Sequence, residues 1–204
     1  MKSWWTTLLA AVAGALLALA GVTIAVLWGG VSARPEPPRI ETAIARALRR
    51  AAIPAAARGA KNPLQATPET LAEARAHFAD HCASCHANDG SGKTSLGQGL
   101  YPRVPDMRLA ETQELTDGEL FYIIENGIRL TGMPAWGTAA KQAETWKLVH
   151  FIRHLPSLTP EETLLMERLN PRSPEEWREL EEEERFLRGD EASGAPALPG
   201  RHGD

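Results

Sequence analysis

The run Cys82-Ala83-Ser84-Cys85-His86 holds the residues of this chain best placed to do chemistry. Two thiols three positions apart can each add to a vinyl group of one porphyrin. The residue that follows then sets an imidazole beneath the iron. Cys-x-x-Cys-His is the attachment pattern for haem c, with Cys82 and Cys85 as the thioethers and His86 as proximal ligand. Competing uses of the same residues lack their context. A redox dithiol wants a βαβ unit, and no strand pattern is convincing here. A zinc site needs a second cysteine pair, and the chain has only 2 cysteines. That number also rules out a disulfide framework.

A soluble redox haem takes a second axial ligand, and methionine in that place raises the potential. Three methionines lie downstream of His86: Met107, Met133 and Met166. Met133 stands between Gly132 and Pro134, in a loop after one apolar helix and before another. The glycine lets the backbone approach a ring closely, and the proline stiffens the loop. Met107 follows Pro105-Asp106 in an irregular segment and is the alternative ligand, equally placed to be haem-pocket packing. Met166 falls on a charged tail and reads as surface or packing. The expected iron ligands are therefore His86 and Met133. His77 and His81, and likewise His150 and His154, are four apart and could share a helix face, but neither pair has a third ligand. Gly90-Ser91-Gly92-Lys93-Thr94 is not a phosphate loop, because Ala87 stands where the first glycine is required and no strand precedes it.

The elements that must position these residues are helical. Thr67 can cap a helix that starts at Pro68 and carries Leu71, Ala74, Phe78 and Cys82 on one face. The stretch 88–106 is rich in Gly, Ser and Pro and reads as irregular. Thr116-Asp117-Gly118-Glu119 is a capping box ahead of Leu120, Ile123, Ile124 and Ile128. A last helix is expected from Ala139 to Leu155, with Trp146, Val149, Ile152 and Leu155 inward. The expected fold class is all-α, a small domain of four or five short helices over 67–156.

Outside that domain, Leu8 to Trp28 carries no charged residue. As a helix it would be about 31 Å long, enough to cross a bilayer core. A signal-peptide core is shorter, so residues 1–30 read as an uncleaved anchor, although Val31-Ser32-Ala33 resembles a cleavage site. Trp4, Trp5 and Trp28 sit at the ends, where amphipathic rings prefer the headgroup zone. Five arginines between Arg34 and Arg50 follow the apolar run, which by the positive-inside rule puts the domain in the cytoplasm. Residues 31–66 read as a basic stalk and linker. Its helix, with Ile40, Ala43, Ile44, Ala47, Leu48 and Ala51 on one face and arginines on the other, should end near Pro54 and pack on its own domain; the alternative is a basic amphipathic helix lying on anionic lipid. Residues 157–204 form an acidic tail with two helix-like pieces, disordered past Gly189. The net charge of −4 gives no reason to expect nucleic acid as a partner.

Cys82 to His86, the glycine-rich loop, Gly132-Met133-Pro134-Ala135-Trp136 and the closing helix around Trp146 to Leu155 together resemble a class I cytochrome c. The resemblance covers about 67–156. It implies a small helical fold around one covalent haem c, His/Met ligation, and packing of Phe78 against the helix face around Phe151. Trp136 and Tyr101 would line the haem pocket. It also implies export, because haem c is attached on the outer side of the bacterial cytoplasmic membrane. That expectation overrides the charge rule, with Lys2 left to orient the helix. The function so implied is single-electron transfer between redox protein partners, such as a dehydrogenase, reductase or oxidase, at the periplasmic face. With both axial positions filled there is no open site for a small-molecule substrate, so the chain is not expected to be an enzyme by itself. The alternatives are a cytochrome subunit of a larger oxidoreductase complex and a ligand sensor with a labile Met133.

Overall fold

Helical periodicity in the sequence becomes eleven α-helices among the described residues of the computed structural model, which are 2–30, 32–138, 140–170 and 174–188. In chain order they are α1 (Lys2–Gly29), α2 (Arg39–Ala52), α3 (Ala55–Arg58), α4 (Pro68–His81), α5 (Ala83–His86), α6 (Ser95–Gln98), α7 (Ala110–Gln113), α8 (Asp117–Asn126), α9 (Gln142–His154), α10 (Pro160–Leu169) and α11 (Pro174–Leu187). No strand occurs among the described residues. The fold is all-α, as the sequence implied, but 67–156 holds six helices, α4 to α9, rather than four or five, because the irregular stretch contains the one-turn helix α6 and a second, α7, follows it.

The core forms where α4 crosses α9. Ala74 and Phe78 from α4 meet Leu148, Val149, Phe151 and Ile152 from α9. The Phe78 and Phe151 rings lie 5.1 Å apart in a tilted pair, an arrangement that aromatic quadrupoles favour. Thr67 caps α4 through its side chain, which accepts from the Thr70 amide, and Pro68 occupies the first turn. Trp146 turns to the rim of this core and stacks on Phe121 at 4.1 Å. The closing helix starts at Gln142 rather than Ala139, which lies outside the described residues. Its delay has a local cause: the Gly137 amide is held by the Glu125 carbonyl, and the Lys141 amide closes a turn onto Thr138.

Three segments outside 67–156 pack on this core. Met166 of α10 is fully buried, and the end of α10 is tied down by a reciprocal pair, Asn88 Nδ2 to the Asn170 carbonyl and Asn170 Nδ2 to Asn88 Oδ1. The stretch before α4 is also held. Asn62 Nδ2 donates to the Trp146 carbonyl at 2.8 Å, and His150 Nε2 lies 3.0 Å from the Leu64 carbonyl. His154 is occupied by Glu162 at 2.9 Å, so neither histidine of that pair is available for metal. α3 lies against α8. The capping box forms as the sequence predicts, with Thr116 and Glu119 exchanging side-chain and backbone bonds. The Thr116 hydroxyl also donates to the Arg58 carbonyl.

Gly118 makes the approach of α3 to α8 feasible. A Cβ there would run into the Ala57 carbonyl oxygen and lie 2.9 Å from the Ala60 carbonyl oxygen. Backbone cannot yield as a flexible side chain can, so Gly118→Ala should displace α3 at a cost of about 1–3 kcal/mol, as overpacking does. Chemical denaturation will show this as a lower midpoint, and proteolysis will show earlier cutting near Arg58.

The stalk helix corrects the sequence reading. None of α2 is fully buried, and Ile40, Ile44 and Leu48 point away from the domain with more than half of each exposed. The arginine face makes the contacts instead. Arg46 forms a two-bond fork with Glu111, and Arg50 lies 3.5 Å from Glu119. Glu41 accepts from the Tyr101 hydroxyl, and Glu36 pairs with Arg103. The domain edge facing α2 is acidic, so charge complementarity outweighs the small area an alanine-rich face could bury. The one apolar anchor, Ile53, follows the helix and is 3% exposed.

α1 is long and apolar enough over Trp4–Ile24 to cross a membrane, and none of that window is buried in the protein. In α11, Glu181, Glu182 and Glu184 are solvent-exposed. The stretch past Gly189, expected from composition to lack order, lies outside the described residues.

Candidate functional site

α4 and α5 are hinged at Cys82, which ends one and begins the other. The Cys82 amide donates to the Phe78 carbonyl, and the Cys82 carbonyl accepts from the amides of Cys85 and His86 at 3.1 and 2.9 Å. The motif is therefore one helical turn, and a turn brings residues three and four apart to the same side. Cys82, Cys85 and His86 all border a single cavity. The turn is braced from behind, where Gly92 donates to the His86 carbonyl at 2.8 Å and the Thr94 hydroxyl to the Cys85 carbonyl at 3.2 Å.

That cavity encloses about 1020 Å³ of empty space, its mouth included. Its walls are apolar: Phe78 from α4, Leu100 and Val104 from the loop, Leu120 and Ile124 from α8, and Ile152 from α9. Burial pushes the Cys82 thiol up to about 12. A thiol so placed stays protonated at neutral pH, the opposite of a reactive redox cysteine. Burial also lowers the His86 imidazole to about 4, which leaves the ring neutral and able to bind a metal through nitrogen at pH 7. Its Nδ1 is buried with no hydrogen-bond partner.

Met133 borders the same cavity from a separate segment. Gly127 ends α8 with φ 65°, and a Cβ there would meet the backbone of Pro134 at 2.6 Å. The loop then folds back along α8. Ile128 donates to the Met133 carbonyl at 3.1 Å, and Trp136 to the Ile124 carbonyl at 3.0 Å. The Met133 amide donates to the Thr131 hydroxyl, which in turn donates to the Ile128 carbonyl. The bonds among Ile128, Thr131 and Met133 close the loop on itself, and Trp136 and Gly137 tie its far side to α8, so the Met133 backbone is held between the two.

The loop carrying Met107 is equally fixed. The Met107 amide donates to the Gly90 carbonyl, and its own carbonyl accepts from Gln113 Nε2 at 2.7 Å. Met107 is 6% exposed and also borders the cavity, as part of the core. Met166 does not reach the cavity. Arg153 of α9 holds the α7–α8 junction, bonding the carbonyls of Gln113 and Leu115 and the Asp117 carboxylate.

A scan of protein-family models matches residues 69–152 to Cytochrome C oxidase, cbb3-type, subunit III. Residues 69–152 form a cytochrome c domain. The match spans less than half of the chain, and it leaves out α1, α2, α3, α10 and α11. No curated protein matches the chain. A cytochrome c domain implies haem c and a role in electron transfer rather than catalysis, and the cavity fits that group. It is apolar, it presents two thiols and a neutral imidazole from one helical turn, and a methionine borders it from another segment.

The aromatic expectations divide. Trp136 borders the cavity and meets the His81 ring edge-on at 5.7 Å between centroids. Tyr101 does not border it, because its hydroxyl is drawn 2.5 Å from Glu41 of α2. His77 and His81 stand at the cavity margin with rings 4.8 Å apart. No cluster of three or more metal-binding side chains occurs among the described residues. The one cationic side chain at the cavity among the described residues was not expected there. Arg49 of α2 borders the site from outside the matched segment. Periodicity had assigned it to solvent, and only the acidic residues Glu111 and Glu119 hinted that an arginine face could turn inward.

Proposed function

We propose that this chain is a single-electron carrier in which Cys82 and Cys85 hold one covalent haem c and His86 and Met133 ligate its iron. The observation that carries the proposal is the convergence of these four side chains, from α4–α5 and from the loop after α8, on one apolar cavity. Haem c supplies a one-electron couple when bound. The chain does the rest. Cys82 and Cys85 fix the orientation of the group, and the backbone bonds of α5 keep the His86 imidazole aligned. Thr131 and Ile128 hold the Met133 loop in place. Phe78, Leu120, Ile124 and Ile152 exclude water, and a low-dielectric wall with a thioether ligand favours the less charged iron state and raises the potential. If His86 and Met133 both hold the haem iron, they would leave no place on it for a substrate, and catalysis would belong to the partners.

The domain is proposed to work at the outer face of the bacterial cytoplasmic membrane, tethered by α1, with the folded unit extended by 53–66 and α10. Of the arginines that argue for the cytoplasmic side, Arg46 is paired with Glu111 and Arg50 lies against Glu119; the outer-face reading rests on the haem chemistry and not on these charges. A second reading has a specific observation behind it. The description of the matched family names an oxidase subunit, and the apolar surface of α1 is open over Trp4–Ile24; on this reading the chain is the cytochrome subunit of an oxidase complex.

The test is purification of the full chain in mild detergent from cells able to attach haem c. One haem per chain should survive denaturing electrophoresis, and the ferric protein should show the weak red absorption band of a methionine–iron bond. A chain that loses its haem on denaturation overturns covalent attachment. A retained haem without the red band overturns Met133 as ligand and favours the sensor alternative. Stoichiometric co-purification with an oxidase subunit selects the second reading.

A further inference from the structure

Haem carries two propionate carboxylates, and an apolar cavity is a poor environment for an unpaired carboxylate. Among the described residues that border the cavity, Arg49 is the lysine or arginine, and it arrives from α2, outside the segment that matches the cytochrome family. Its situation differs from that of its neighbours. Arg46 is paired with Glu111, and Arg50 stands against Glu119. Arg49 is directed inward, and its Nε is buried with no hydrogen-bond partner. Burial, and then the adjacent Arg46, push this guanidinium below its ordinary value, against the pull of Glu119 and Glu111. An arginine stays charged regardless, and a half-buried cation with an orphaned donor calls for an anion.

We propose that α2 is a lid on the haem cavity and that the Arg49 guanidinium binds a haem propionate. The proposal rests on the haem reading above. Arg46, Arg50, Glu41 and Glu36 are then the clasps that dock the lid, through Glu111, Glu119, Tyr101 and Arg103. Arg49 is the residue the clasps deliver. Guanidinium suits this task because its planar fork can give two parallel bonds to one carboxylate. The stalk between anchor and domain thereby becomes part of the cofactor site. Anything that pulls α2 away would also change the charge felt by the iron.

The test compares haem-loaded full chains: the unmodified protein, Arg49→Gln, Arg49→Lys and Arg39→Gln. Two readouts serve, the midpoint potential and the resonance Raman propionate-bending band, which moves with hydrogen bonding to that carboxylate. Loss of a buried cation favours the more positive iron state. Arg49→Gln should therefore shift the ferric-to-ferrous equilibrium about tenfold toward ferric, about 59 mV for one electron, and move the band. Arg49→Lys should keep most of the potential but still move the band, because a point donor replaces a fork. Arg39→Gln removes the same charge from the exposed start of the same helix, away from the cavity and the clasps, and should move neither readout appreciably. An unmoved band in both Arg49 variants overturns the proposal, whatever the potential does. If Arg49→Gln fails to acquire haem, the band of Arg49→Lys decides alone. Failure of the haem reading itself would appear earlier and separately, as an unmodified chain without covalent haem.

Discussion

Met133→Ala is expected to abolish the red methionine–iron band of the ferric protein at neutral pH and to lower its midpoint potential by upwards of ~0.1 V, a fraction of the roughly 0.8 V range over which axial ligands set haem potentials. A thioether is soft and uncharged, and it stabilises the ferrous state relative to water or a nitrogen donor. The size of the effect depends on whether another side chain can take its place. Met107 is the one other methionine that borders the cavity. Its amide is bound by Gly90 and its carbonyl by Gln113, which fixes its backbone, and its side chain is packed in the core at 6% exposure, so taking the vacated position would mean giving up that packing. Met107→Ala should therefore retain the red band and lose stability instead, about 2–5 kcal/mol for truncating a buried methionine. The pair of variants separates the two roles. Loss of the band in Met107→Ala with retention in Met133→Ala would transfer the ligand to Met107. The stiffness of the Met133 loop also makes a partial result informative. Thr131→Ala removes one pin, the hydroxyl between the Met133 amide and the Ile128 carbonyl, and should weaken the band without erasing it.

What the sequence revealed and what it hid divide along a physical line. Cys82 to His86 is legible because the covalent chemistry dictates the spacing, and one helical turn realises it with no help from distant residues. The caps at Thr67 and Thr116 are equally local: a hydroxyl placed before the helix meets an amide three residues on. The Phe78–Phe151 contact followed from the family resemblance rather than from periodicity, since pairing two helix faces 73 positions apart is a tertiary fact. The stalk went the other way. An apolar stripe of Ile40, Ile44 and Leu48 was expected to seek the domain, and arginines to seek water. The structure leaves the stripe in solvent and sets the arginine face toward the domain, its side chains still partly exposed, because Glu111 and Glu119 line the edge that α2 meets. Periodicity describes a helix and its faces. It does not say which face finds a complementary surface. The same blindness hid Arg49 from the site and made 62–66 look like a free linker, when Asn62 and the Leu64 carbonyl are bound to α9. The start of α9 was misplaced for a related reason: the bonds that delay it run to Glu125 and Thr138, and the first of these lies across the loop.

Phe151→Ala should be the most damaging single change to the fold that leaves the haem cavity untouched. The ring is fully buried and faces Phe78 at 5.1 Å between centroids. Truncating a buried phenylalanine costs about 3–5 kcal/mol, from lost transfer energy and from the void left behind. A domain of this size is stable by only about 5–15 kcal/mol. The loss therefore takes a large share of the total, and the unfolding midpoint in urea should fall accordingly. Phe78 borders the cavity, whereas Phe151 stands behind it. The two truncations should consequently differ in kind. Phe151→Ala should lower the midpoint while the methionine–iron band persists up to the onset of unfolding, whereas Phe78→Ala should disturb the band in the folded state as well. Leu130→Ala, at a side chain that is 92% exposed, sets the baseline and should change stability by less than about 0.5 kcal/mol. A Phe151→Ala midpoint close to that baseline would mean that α9 does not derive its hold on α4 from this contact. The burden would then pass to Leu148, Val149 and Ile152, whose smaller side chains fill the same interface. Ala74 makes that outcome hard to reach. It is the small residue that lets α4 come close to α9, and a methyl group cannot spread to fill the space a lost ring leaves behind.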